Sequence, residues 1–163
     1  MVHQITGFDL KGSSKLVVTA GTEPSGGVPF QLAIESITFA GEALTEVFSY
    51  VEAHRQITAY SIDQPKAAVG DIVIRYQDRF TTGIGAFAIL GAAEGVAEYS
   101  VQSGYTSAPV TTSKGDLMIG CLGTNGSSRL IQPEAGSNAL FSANILDPGG
   151  CNVASVYSFS DTE

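Results

Sequence analysis

The side chains able to do acid–base, nucleophilic or metal chemistry are few in this chain, and they are scattered. There are two histidines, His3 and His54. His3 falls in the N-terminal segment, and His54 stands beside Arg55 in an expected turn. A zinc site needs three or four ligands at close spacing, and neither histidine has a second His or Cys at that spacing. Both read as solvated polar residues. No Gly-x-Ser-x-Gly elbow, His-Glu-x-x-His pattern or Walker loop occurs. A serine nucleophile would therefore lack its base. The expectation is a non-enzymatic chain, with no catalytic residue, no metal ligand and no cofactor.

Carboxylates are more numerous. Glu35, Glu42, Glu46 and Glu52 fall in one stretch. A glycosidase pair would need two carboxyl groups about 5–9 Å apart, one of them desolvated. The commoner arrangement is a charged hairpin that resists edge-to-edge aggregation. Asp71 and Asp116 each follow a glycine just before an apolar run, which reads as turn chemistry. Asp147 sits alone in a Pro-Gly-Gly turn, whereas calcium needs several converging oxygens. Sugar platforms are usually aromatic, and tryptophan is absent. Tyr99 and Tyr105 flank a polar stretch and are the exposed candidates; a Tyr at a sheet rim is the alternative. Cys121 and Cys151 read either as a pair or as two small buried thiols. The second is favoured, because a chain of 163 residues can bury a core without a staple.

Charge narrows the partners. Eight Lys and Arg stand against sixteen Asp and Glu, a formal charge of -8. That sign argues against nucleic acid, which is bound by displacing counterions with a basic face. It also argues against an anionic membrane. Only 15% of residues are charged and 44% are hydrophobic, so a packed domain is expected rather than an acidic disordered chain. No basic segment followed by an apolar run opens the chain, and no stretch approaches the ~18 apolar residues of a membrane helix.

The elements that position these residues read as strands. Val, Ile and Thr total 38, against 4 Lys and 10 Leu, and glycine and proline fall between short apolar runs. The expected strands are 15–20, 31–39, 43–51, 56–62, 72–76, 83–90, 117–122, 139–146 and 152–159. Gly21–Pro29 is expected as a loop, Gly83–Leu90 as a buried central strand, and Asn125-Gly126 as a hairpin turn. A helix over Glu42–Ala53 is the weaker alternative, since no N-cap precedes it. This predicts an all-β fold: a two-sheet antiparallel β-sandwich, jelly-roll-like, of about nine or ten strands, one domain over 1–163. Residues 1–8 read either as an N-terminal arm or as the first strand.

The segment order resembles a β-sandwich module of phage virion proteins and bacterial surface proteins. The likeness runs from Lys15 to Phe159 and is carried by the hairpin Ser36-Ile37-Thr38-Phe39-Ala40-Gly41-Glu42-Ala43-Leu44, by ITAYSIDQP, and by GIGAFAILGA. These are packing and turn features, so no catalytic residue carries over. The resemblance implies a structural protein of a phage virion, made in the host cytoplasm without a signal peptide. A capsid decoration or cement protein, or a small tail or fibre component, fits best. Its partners would be other virion proteins and copies of itself, a trimer among the options. The alternative is a carbohydrate-binding module of a surface or fibre protein. Val2, Ile5 and Phe8 are the partner-binding candidates, as apolar residues of an arm laid on a neighbour.

Overall fold

The computed structural model of the chain describes residues 1–24, 34–52, 55–77, 80–92, 115–125, 138–145 and 151–159. They hold eleven strands: β1 (Val2–Asp9), β2 (Lys15–Pro24), β3 (Ile34–Phe39), β4 (Glu42–Ala43), β5 (Thr45–Glu52), β6 (Arg55–Asp63), β7 (Val69–Tyr76), β8 (Phe80–Ile89), β9 (Leu117–Asn125), β10 (Asn138–Ile145) and β11 (Cys151–Phe159). The fold is all-β, as the composition and turn spacing predict. The alternative helix over 42–53 does not form: its described residues are strand on either side of Leu44.

Two four-stranded antiparallel sheets form the sandwich, in the orders β1-β7-β3-β4 and β5-β6-β2-β8. The chain changes sheet between β1 and β2, β2 and β3, β4 and β5, β6 and β7, and β7 and β8. The core between the sheets is a single cluster. Ile34, Ile37, Phe39, Ile72, Ile74 and Tyr76 come from the first sheet, and Leu16, Val18, Ala20 and Tyr60 from the second. Their alternation along each strand follows the two-residue period of the pleat.

A third, three-stranded sheet, β10-β11-β9, lies against the second sheet, with β11 and β10 beside β8 and β9 beside β6 and β2. The two-sheet expectation did not include this layer. It explains why β2 is buried on both faces: Val17 and Thr19 are buried, as are Leu16 and Val18 on the other side. It also corrects the position of β8. That strand ends its sheet rather than occupying the middle. It is apolar on both faces because Ile84 and Ala86 pack on the core while Gly83, Gly85 and Phe87 are buried on the opposite side.

Two boundaries also shift. β2 runs on through Gly21–Pro24, pairing Glu23 with Thr81 and Pro24 with Phe80. Proline is tolerated there because it ends the strand. Gly123–Asn125 stays in β9, with Asn125 opposite Cys151. The tight hairpin after β3 forms as expected. Ala40 and Gly41 both have positive φ, 48° and 83°, the geometry of a two-residue hairpin turn.

Candidate functional site

The feature best placed to meet a partner is β1. It is the end strand of its sheet, paired with β7 and with no neighbour on its other side among the described residues. Residues 1–8 are thus the first strand of the sandwich and not a free arm. Ile5 and Phe8 pack, half-buried, on the core of their own chain. Val2 remains on the surface, 50% exposed.

Ile5 and Phe8 share the core side although their spacing is odd. The ladder explains this. Ile5 pairs with Ile72 and Phe8 with Gly70, so β1 carries one extra residue over that step. Such a bulge lets two residues of one strand oppose a single residue of the other. Gly7 supplies it with a φ of 63°, a conformation that costs a glycine little.

Asp71 holds the bulge. Its Oδ1 accepts the Gly7 N–H at 2.8 Å, and its Oδ2 accepts Gln4 Nε2 at 2.6 Å. Asp71 was expected in turn chemistry with its own backbone. It instead lies inside β7 and spans to the neighbouring strand. The start of β1 is fixed by reciprocal bonds: the Met1 ammonium donates to Tyr76 O at 3.0 Å, and Tyr76 N–H donates to Met1 O at 2.9 Å. His3 lies edge-to-face on Tyr76, with ring centroids 5.3 Å apart. That contact gives His3 a packing role.

The four-glutamate stretch disperses. Glu35 is exposed on β3. Glu42 accepts the Lys66 N–H at 3.2 Å and lies 3.7 Å from its ammonium. Glu46 accepts the Tyr60 hydroxyl at 2.9 Å. Burial, and behind it the Glu46 carboxylate, push the Tyr60 phenol well above its ordinary pKa. The side chain of Glu52 lies outside the described residues, as do His54, Tyr99, Tyr105 and Asp147. Among the described residues no group of three or more His, Cys, Asp or Glu could hold a metal ion, and no helix is long and apolar enough to cross a membrane.

Cys121 and Cys151 sit on neighbouring strands but not opposite each other. Cys121 faces Ser155 and Cys151 faces Asn125, four residues apart along the ladder. At ~3.4 Å per residue their Cα atoms are about 14 Å apart. A disulfide needs roughly 4.4–6.8 Å, so the two cannot pair within this fold.

Sequence reasoning missed two polar features. One is the Asp71 clamp. The other is the ion pair of Lys15 Nζ and Asp63 Oδ1, 2.9 Å apart, with the Lys15 side chain only 6% exposed. Both depend on strand register, which no local motif encodes. No family model, no curated protein and no solved structure matches the chain, so its fold and the edge of β1 are what bear on its role.

Proposed function

We propose that this chain is a non-enzymatic structural protein that binds other proteins in an ordered array. Its most concrete form is a capsid decoration or cement protein, or a small tail or fibre component, of a phage virion. The outer edge of β1 carries the binding part of this reading. Eight residues long, β1 holds a single carboxylate, Asp9, and no Lys or Arg. A strand edge with few charges along it is a template for pairing with another chain. The virion part rests on the resemblance of the 36–44 hairpin and the strands around it to modules of that kind. A symmetric array also suits a small contact, since many weak contacts in register add up.

The test is particle association. Virions purified on a density gradient from a lysate of the source culture should contain the chain at a fixed ratio to the major capsid or tail protein. Recovery only in the soluble fraction overturns the reading. Binding on a glycan array without particle association would favour the carbohydrate-binding alternative.

A further inference from the structure

We propose that β1 pairs edge to edge with β1 of a second copy, antiparallel about a two-fold axis at Gln4, so that one sheet runs through both copies. This rests on the assembly reading above and names a contact within it.

The hydrogen-bond phase of the ladder sets which groups are offered. Met1 and Tyr76 exchange both backbone bonds. Residues of an antiparallel strand alternate in the direction of their N–H and C=O groups. Met1, His3 and Ile5 therefore bond inward to β7, and Val2, Gln4 and Thr6 point theirs outward. The bulge at Gly7 ends this regular run, because a bulge bends its strand. The usable edge is Val2–Thr6, and its middle is Gln4. Centred there, Gln4 meets its own copy, and Val2 meets Thr6 of the second copy. Both of those are β-branched residues that suit cross-strand contact.

Charge selects the occupant. At the start of the edge stand the Met1 ammonium and the exposed Arg75, which is opposite Val2. At the far end stand Asp71, on the bulge, and Asp9. Lys11 lies past Asp9 in the turn that leaves the sheet, and Glu35 lies beyond β7 on β3. An antiparallel copy of the same strand lays each positive end on the other's negative end, twice over. Two chains of charge -8 repel elsewhere on their surfaces, so this complementarity favours the β1 edge. The other edges of the sandwich are less open. β4 has two residues, β5 carries Glu46 and Glu52 and a register shift, and β8 lies beside β10 and β11. An isologous pair closes after two copies.

The test is sedimentation equilibrium of the whole chain up to about 1 mM, a range that detects weak pairing. The expected mass rises from 16.9 kDa toward twice that value. Gln4→Pro removes an outward N–H that the sandwich does not use; it should keep the parent's circular dichroism and weaken association at least tenfold. Gln4→Ala, which loses only the side-chain bond to Asp71, should associate like the parent. Arg75→Glu should weaken association, most at low salt. In a Cys121→Ser, Cys151→Ser background, Gln4→Cys should cross-link on oxidation faster than Ala43→Cys. A parent that stays monomeric, a Gln4→Pro variant that associates as well as the parent, or equal cross-linking at both cysteines overturns the pair. A monomer that still co-bands with particles overturns this pairing and leaves the virion reading standing. A dimer absent from particles supports the pairing and overturns that reading.

Discussion

β2 is enclosed on both sides, and its two sides meet different company. Leu16, Val18 and Ala20 face an apolar cluster with Ile37, Phe39, Ile72 and Ile74. Lys15, Val17 and Thr19 face the other way, alongside Ser61, Asp63, Ala59 and Phe87, toward the third sheet. The first side is filled by large apolar groups, whose removal from water is the main driving force of folding. On the second, the described residues mix apolar Val17, Ala59 and Phe87 with polar Thr19 and Ser61 and the Lys15–Asp63 ion pair, whose dehydration offsets much of its own attraction. The described groups of the first side therefore stabilise the fold by apolar burial, whereas those of the second include a charged pair in which each member needs the other.

The largest expected loss tests the first side. Leu16→Ala should cost about 2–5 kcal/mol in urea unfolding, the usual range for a fully buried leucine. A loss no greater than that at a surface site would erase the contrast. On the other side, Asp63→Ala takes a carboxylate from an enclosed ammonium and should cost about 2 kcal/mol, less than a fully buried pair because Asp63 is 30% exposed. Lys15→Met with Asp63→Leu should recover most of that loss. If the double variant is worse than Asp63→Ala alone, the pair contributes more than its position.

A smaller effect returns to the core side. Tyr60→Phe deletes the hydrogen bond to Glu46 and should cost about 1 kcal/mol near neutral pH. Its pH dependence has a fixed sign. Burial and Glu46 raise the phenol's pKa in the folded chain, so the unfolded chain loses this proton first, near pH 10. The contribution is complete below pH 10 and is lost as pH rises above it. Stability of the parent should fall more steeply over that range than stability of Tyr60→Phe. The smallest effect belongs to the outer layer: Cys121→Ser with Cys151→Ser should stay folded, and reductant should leave the parent's melting temperature unchanged. A steep fall would contradict the four-residue offset between the two cysteines.

Much of this fold was legible as strands, because β-branched alternation and turn residues are local signals. Which sheet a strand joins is not local. β8 reads as central since both its faces are apolar, yet the third layer, and not a flanking strand, covers one of them. Ile5 and Phe8 look like opposite faces by parity, until one glycine at position 7 shifts the count. Asp71 after Gly70 looks like a turn, and only its pairing opposite the β1 bulge shows what it binds. The buried Lys15 offers no warning either, since its partner is 48 residues away and meets it through the register of β2 on β6.

Gly70 lies against the turn that joins β3 to β4, and a Cβ built on it would come within 2.5 Å of the Ala40 Cβ. Ala40 itself holds a φ of 48°, where side chains cost roughly 1–2 kcal/mol. The two positions are therefore epistatic. Gly70→Ala alone should be poorly tolerated, Ala40→Gly alone should be neutral or stabilising, and the second should rescue the first only in part, because the backbone Cα and N at position 40 still lie 3.1 and 3.3 Å from a Cβ at position 70. In a randomised library of both sites, alanine at position 70 would be enriched where position 40 is glycine.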